Sequence, residues 1–182
     1  MHGMNLSDGV VALSPLRLDD VDAHLAGEDE LLVRWLSGEP ATRAGTEAYF
    51  RHCIEQWATS GPLRAFGIRT ADQQTLAGYI DLRFDVAGLE PGQANISYVL
   101  YPAWRGKGLM TRAVRLICRY AAAEGAAQGV IRVDPGNAPS AAVARRSGFT
   151  YDKQLLEADG HRTDWYLMGL PDGGGGSRRE DS

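Results

Sequence analysis

A cationic, glycine-bearing turn is the part of this sequence best suited to chemistry. It follows an apolar run that ends at Tyr101, and it leads into a helical pattern. Backbone N–H groups at a helix start have no partner within the helix, and the helix dipole favours negative charge there. Two basic side chains add to this field, so the turn predicts a binding site for a phosphate or diphosphate. Its candidate binding residues are Arg105, Gly106, Lys107, Gly108, Leu109, Met110 and Thr111.

Other phosphate-binding loops fit this turn less well. A Walker loop has four residues between its glycines and then Lys-Ser/Thr, whereas Gly108 is followed by Leu109. A dinucleotide fingerprint needs a third glycine where Thr111 stands, which makes a nucleotide-dependent oxidoreductase a distant reading. The structural alternative is a turn that uses glycine for its backbone angles and exposes its basic side chains to water.

A second set of motifs accompanies the turn. Asn137 and Ser140 stand in an Asn-x-x-Ser spacing after the apolar run 129–133, and the pair Gly148-Phe149 follows a short segment. Together with the Arg-Gly-Lys-Gly turn, these motifs resemble the GNAT acetyltransferase superfamily. The closer resemblance is to its branch of ribosomal-protein N-terminal acetyltransferases. Met110 departs from the family pattern, which usually has a small residue there.

The resemblance implies an N-acetyltransferase. Such an enzyme moves an acetyl group from acetyl-CoA to a primary amine, on a protein N-terminus or a small molecule, by direct transfer in a ternary complex. It implies that the pantetheine arm pairs with backbone groups of about Val99 and Leu100. Ser140 would lie near the cofactor sulfur, and Asn137 would hydrogen-bond the cofactor or the acyl carbonyl. A helix-capping hydroxyl is the alternative reading of Ser140.

Two positions depart from the family's catalytic pattern. Ala144 stands where many members have a tyrosine, and Asn95 stands where related sequences often have an acidic residue. Asp81 and Asp134 are alternative candidates for the general base, although a surface or turn role is the favoured reading of each. These departures keep a second function open, a non-catalytic acyl-CoA-binding or sensing module on the same fold.

Composition agrees with an ordinary globular enzyme. The chain has 182 residues, of which 44% are hydrophobic and 23% charged. Its net charge of −4 gives no general attraction to nucleic acid or anionic lipid, so we expect neither as a partner. Cys53 and Cys118 lack metal-ligand spacing, and no metal is expected. No secretory signal or membrane span is visible, which favours a cytoplasmic location. Homodimers are frequent in the branch, so a homodimer stays an option.

Hydrophobic periodicity predicts a mixed α+β fold. Strands are predicted at 10–16, 64–69, 76–84, 94–101 and 130–133, and helices at about 21–26, 46–58 and 108–124. The short loops at 71–74 and 88–92 favour an antiparallel meander. The helix after the turn has one apolar face, as a crossover helix does, so the strand after it should lie parallel to the strand that ends at Tyr101. Two strands joined at residues 158–160 should close the sheet.

This order of elements resembles the GNAT-like fold, which has a central, mostly antiparallel sheet, one parallel splayed strand pair and flanking helices. Residues 1–170 would form a single acyl-CoA N-acyltransferase domain, and 171–182 a disordered Gly-rich tail. The resemblance places the acceptor between the early helices and the last hairpin. Aromatic side chains there are pocket candidates, although a core role is the commoner one. They are Trp35, Trp57, His161, Trp165 and Tyr166.

Overall fold

Short segments rich in apolar and β-branched residues pair into one sheet. The computed structural model describes residues 6–70 and 75–171, and within them the sheet has eight strands in the order β1-β2-β3-β4-β5-β6-β8-β7. Their bounds are β1 Leu6–Ser7, β2 Val11–Pro15, β3 Leu63–Thr70, β4 Leu76–Arg83, β5 Gln93–Leu100, β6 Gln128–Val133, β7 Thr150–Leu156 and β8 Arg162–Gly169. Among these strands, β5 and β6 are parallel and all other neighbours are antiparallel. The predicted α+β class and parallel crossover are confirmed.

Helices cover both faces of the sheet. They are α1 Val21–Gly27, α2 Glu30–Leu36, α3 Arg43–Ala58, α4 Leu109–Ala123 and α5 Ala138–Arg146. Helix α4 buries Ala113, Val114 and Ile117 against the sheet and exposes Arg112 and Arg115 to solvent, as its amphipathic pattern predicts. Helices α4 and α5 share one apolar core with the sheet, and α1 and α3 contribute to a second core on the other face.

The parallel strands β5 and β6 pair only where they begin. Their register joins three residue pairs, of which the last is Asn95 with Val130. Beyond that point, β5 stays paired with β4 as far as Leu100, and β6 stays paired with β8 as far as Val133. Each strand therefore follows its antiparallel neighbour, and the two diverge over their C-terminal halves. This is the splayed pair that the resemblance implied.

Strand β1 and helix α2 were not predicted from the sequence. Strand β1 has two residues, which is too short for a periodic signal. Helix α2 has seven residues, Glu30–Leu36, whose apolar side chains leave no clear polar face. It begins because the Asp29 side chain accepts the N–H of Leu32, and such an N-cap satisfies an otherwise orphan donor. The predicted loop at 71–74 and tail at 172–182 lie outside the described residues.

A buried ion pair holds the start of α1 against β3. Asp20 Oδ2 lies 2.7 Å from Arg69 Nη2, and the two residues are 4% and 3% exposed. The same carboxylate accepts the N–H of Arg17, while Arg69 Nε donates to Ser14 Oγ. Because both charges are out of water and hydrogen-bonded, removal of one leaves the other uncompensated.

We expect Asp20→Asn to lower the free energy of unfolding by about 3–5 kcal/mol, since it breaks a buried pair. Asp22→Asn is the matched control, because Asp22 pairs with Arg43 at a site where both side chains are more than half exposed. The control should cost less than about 1 kcal/mol. Urea unfolding of both variants measures the difference, and equal costs would refute the assigned role of the Asp20 pair.

Candidate active site

The cationic turn presents open backbone at the start of α4. Gly106 and Gly108 have φ of 74° and 72°, in the left-handed region that side chains disfavour, and Gly108 is the N-cap of the helix. A Cβ at either glycine would meet nothing within 4 Å, so the space before the turn is empty of protein. The N–H groups of residues 109–111 precede the first intrahelical bond, from the Arg112 N–H to the Gly108 carbonyl, so they have no partner within the helix. The buried Met110 side chain packs in the core, so its size does not crowd the turn.

Arg105 is bonded to the protein around the turn. Its Nη1 and Nη2 donate to the two carboxylate oxygens of Asp29 at 2.7 and 3.0 Å, and its Nε donates to the carbonyl of Leu100 at 3.1 Å. These bonds lower the pKa of Asp29, so the carboxylate stays charged. Arg105 therefore ties the turn to both α2 and the end of β5. Lys107 lies over the ring of Trp104 at 5.0 Å and is exposed at the turn.

The alternation of β5 decides which backbone groups face the gap between β5 and β6. The Tyr101 N–H donates to the Ala77 carbonyl of β4, and hydrogen-bonded pairs recur at every second residue of an antiparallel ladder. Val99 consequently bonds toward β4. Tyr98 and Leu100 direct their N–H and C=O groups toward the gap, although the Leu100 carbonyl is taken by Arg105. The gap-facing positions are thus Tyr98 and Leu100, where the resemblance implied Val99 and Leu100.

Ser140 lies across the gap from β5 and contacts a tyrosine. Tyr98 Oη donates to the Ser140 carbonyl at 3.0 Å, and Ser140 Oγ donates to Tyr98 Oη at 3.1 Å. The N-cap of α5 is Asn137, whose side-chain oxygen accepts the Ser140 N–H at 3.2 Å. Ser140 is therefore not the helix cap. Asn137 fills that role, and its amide nitrogen stays available for another bond.

Tyr98 is a candidate site residue that the motif comparison missed. The position of the family tyrosine is held by Ala144, which is fully buried in the core. Tyr98 brings a phenol to Ser140 from the strand on the opposite side of the gap. Burial raises the pKa of Tyr98 to about 12, so the phenol keeps its proton at neutral pH. Its alternation with Ile96 and Leu100, on the face that packs on the helices, was the sequence signal that could have identified it.

The opposite face of the sheet carries a row of polar side chains. Asn95 is 1% exposed, donates to Ser97 Oγ at 3.0 Å and accepts from Arg132 Nε at 3.1 Å. On β4, Asp81 is opposite Ser97 in the register. The favoured surface reading of Asp81 was wrong, because the residue is only 3% exposed. Asp134, in contrast, is an exposed turn residue that accepts the Gly136 N–H, as expected.

The aromatic pocket candidates separate into core and surface residues. Trp165 and Tyr166 are almost fully buried, and Trp57 packs on Phe66 and bonds a β3 carbonyl, so these three serve the core. His161 is exposed at the last hairpin. Trp35 is half-buried in α2.

Helix α2 spans the ends of the diverging strands. A Cβ on Gly136, in the turn after β6, would lie 3.4 Å from the Trp35 ring. At the other end of the helix, Asp29 holds Arg105 in the turn after β5. Helix α2 thus bridges the mouth of the gap between β5 and β6.

Residues 6–70 and 75–171 contain no group of three or more His, Cys, Asp or Glu side chains able to hold a metal ion. No helix within these same ranges is long and apolar enough to cross a membrane.

The comparison with protein families identifies the class. Residues 11–150 match the acetyltransferase (GNAT) domain family, and the chain belongs to that family of acyltransferases. No curated protein sequence matches the chain significantly.

Solved structures share the fold. RimL, a ribosomal-protein α-N-acetyltransferase in complex with coenzyme A, has a TM-score of 0.78 at 20% identity, covering 92% of this chain and 98% of RimL. An acetyltransferase from Salmonella typhimurium that modifies the N-terminal serine of a 50S ribosomal subunit protein has a TM-score of 0.74 at 22% identity, covering 89% and 96%. The microcin C7 self-immunity acetyltransferase MccE, in complex with acetyl-CoA and AMP, has a TM-score of 0.75 at 18% identity, covering 90% and 94%.

Gly108→Ala tests the conformation of the turn. We expect it to lower the free energy of unfolding by about 1–2 kcal/mol, because alanine resists the left-handed backbone. Gly169→Ala is the control, since a Cβ there also meets nothing within 4 Å but the residue lies in strand β8. The control should be neutral or slightly stabilising. Chemical denaturation measures both, and an equal response would show that no strained turn conformation exists at Gly108.

Proposed function

We propose that the protein is an N-acetyltransferase that moves an acetyl group from acetyl-CoA to a primary amine by direct transfer in a ternary complex. The observation that carries this proposal is the divergence of β5 and β6 beside the glycine turn, with Ser140 across the gap. An extended, amide-bearing arm satisfies the free backbone groups of a splayed strand as an added strand would.

In this proposal the diphosphate lies on the turn at the start of α4. Amides of Leu109, Met110 and Thr111 point at it, and the side-chain-free faces of Gly106 and Gly108 let it approach the backbone. Lys107 supplies positive charge. Arg105 shapes the turn through Asp29 and the Leu100 carbonyl, and its guanidinium contributes to the local field. The pantetheine arm then pairs with the gap-facing N–H of Leu100 and carries the acyl end inward to Tyr98.

The thiolate that leaves needs a proton, and the carbonyl that reacts needs a donor. Ser140 is the proposed proton donor to the sulfur. Tyr98, bonded to Ser140 Oγ, is positioned to replace the proton that Ser140 gives up. The N–H of Tyr98, which faces the gap beside Ser140, is the proposed donor to the developing oxyanion. The amide nitrogen of Asn137 serves the cofactor or the acyl carbonyl.

The acceptor is proposed as a protein N-terminus or a small-molecule amine. Structural neighbours support both classes, since RimL is named for a ribosomal protein and MccE for self-immunity to a microcin. A cytoplasmic location and a homodimer remain parts of this proposal. So does the division into a domain at 1–170 and a Gly-rich tail at 171–182.

A non-catalytic acyl-CoA-binding or sensing module is the second candidate. Asn95 favours it, because its amide is bonded to Ser97 and Arg132 and cannot replace an acidic base.

Free-thiol release from acetyl-CoA separates the two functions. The purified protein is mixed with acetyl-CoA and a panel of peptides with free N-termini and small primary amines, and coenzyme A binding is measured by calorimetry. Amine-dependent thiol release supports the enzyme. Binding without release across the panel supports the sensing module, and absence of binding overturns both.

Ser140→Ala should lower kcat by about 10²–10⁴-fold, the usual contribution of a positioned proton donor, with coenzyme A affinity nearly unchanged. Tyr98→Phe should give a smaller decrease, because water can replace a relay partner more easily than the donor itself. Steady-state kinetics and calorimetry on the same samples provide the two readouts. Wild-type kcat in Ser140→Ala would remove Ser140 from the proton path.

A further inference from the structure

We propose that Asp81 accepts the proton that the acceptor ammonium must lose before attack, and that Ser97 and Tyr49 form the polar site around this transfer. This inference rests on the proposed N-acetyltransferase function. Asp81 lies on β4, whereas the family resemblance implied an acidic base on the neighbouring strand β5, at the position of Asn95.

The register places Asp81 beside Ser97, one strand away from the gap between β5 and β6. Asp81 of β4 stands opposite Ser97 of β5, and Ser97 lies two residues beyond Asn95, where pairing with β6 ends. Ser97 is exposed although both of its neighbours along the strand are at least half-buried. The face that carries Ser97 is opposite to the face that carries Tyr98. An amine that approaches through Ser97 therefore meets the acyl carbon from the side away from Ser140.

The Asp81 carboxylate has longer hydrogen bonds than the carboxylate of Asp20, which is also deeply buried. Its two side-chain contacts among the described residues, with Tyr49 Oη and Arg83 Nε, both measure 3.4 Å. Asp20, in contrast, has bonds of 2.7 and 2.9 Å to Arg69 and to a backbone N–H. A carboxylate offers about four lone-pair sites, so Asp81 retains capacity for one further donor. An approaching ammonium or a water molecule is such a donor.

Burial of Asp81 favours its protonated form. Burial is the main cause that raises its pKa, and the charge of Arg83 and the hydrogen bonds from Arg83 and Tyr49 oppose it. The other titratable groups that face it are Cys53 of α3 and Tyr79 of β4, whose own pKa values burial raises. Both groups are therefore neutral at pH 7. A general base is most effective when its pKa approaches the working pH, which is the direction of this shift.

The proton balance of the transfer can then be written in full. The acceptor ammonium gives one proton to Asp81, directly or through Ser97 and a water molecule, and becomes a neutral amine. Its nitrogen forms a bond to the thioester carbon, and the carbon–sulfur bond breaks as the tetrahedral intermediate collapses. Ser140 protonates the thiolate and regains a proton from solvent, while the second nitrogen proton leaves to solvent. Asp81 releases the first proton to solvent, so each cycle yields an amide, coenzyme A and one proton.

Three other carboxylates near the gap are less suited to this role. Asp29 is bound to Arg105 on both oxygens, and Glu157 lies 3.7 Å from Arg132 and accepts from Thr163 Oγ1. Asp134 lies in an exposed turn.

Asp81→Asn and Asp134→Asn provide the test, with any amine that wild type acetylates. We expect Asp81→Asn to lower kcat/KM at pH 7 by about 10²-fold or more and to remove the acidic limb of the pH profile. The loss should shrink as pH approaches the pKa of the amine, because the acceptor is then deprotonated by solvent. Coenzyme A affinity should not change, and Asp134→Asn should behave as wild type.

Tyr49→Phe gives a second, independent readout. The Tyr49 hydrogen bond lowers the Asp81 pKa, so its loss should move the acidic limb to higher pH. A purely structural role of Tyr49 would leave the limb in place. Retained turnover with an unchanged limb in both Asp81→Asn and Tyr49→Phe overturns the assignment while the proposed function stands. A wild type that transfers no acetyl group overturns both.

Stability against pH tests the charge state of Asp81 without turnover. Its folded pKa is raised, so the native state binds the proton more tightly than the unfolded state does. Wild type should therefore be most stable relative to Asp81→Asn below about pH 4, the unfolded pKa of aspartate. It should lose that advantage as pH rises through the raised folded value. Thermal unfolding midpoints of both proteins between pH 4 and 8 measure this, and a difference that does not vary with pH would contradict the proposal.

Discussion

The divergence of β5 from β6 is the constraint on which the site depends. Each strand keeps its antiparallel neighbour, β4 or β8, and the parallel pairing ends after Asn95 and Val130. The Asn95 side chain still bonds Arg132 of β6 at this point, and above it the Tyr98 phenol reaches Ser140. Side-chain bonds thus replace backbone pairing as the strands separate. The extended arm that we propose for the gap would satisfy the backbone groups that this separation leaves without a strand partner.

Alternation along β5 then divides the chemistry between two faces. Tyr98 and Leu100 project toward the helices α4 and α5, where Ser140 and the glycine turn lie. Asn95 and Ser97 project toward the other face, beside Asp81 and Arg132. Because successive side chains of a strand point to opposite faces, in the proposed reaction one short segment would present separate groups to the leaving thiolate and to the incoming amine.

Local patterns predicted the parts of the fold that have local causes. The apolar face of α4 predicted the crossover and its parallel strand, and the glycines of the turn have the positive φ that such a turn needs. Long-range contacts were not accessible in the same way. The bond between Arg105 and Asp29 joins residues 76 apart, and the bond between Tyr98 and Ser140 joins residues 42 apart. Neither pair leaves a periodic signal in the sequence. Most aspartates are exposed, so the sequence favoured a surface role for Asp81, whose burial depends on packing against α3.

Arg105 shows why a motif residue and its role must be separated. In sequence it is a cation beside a phosphate turn, but three of its N–H groups are directed to Asp29 and Leu100. Its charge is largely matched by Asp29, so the attraction for a diphosphate must come mainly from Lys107 and from the amides at the start of α4. The bond to the Leu100 carbonyl occupies the last acceptor of β5. Leu100 therefore offers only its N–H to the gap, at the position nearest the turn, where the proposed pantetheine arm would pass. The proposed oxyanion donor is the next gap-facing N–H inward, that of Tyr98.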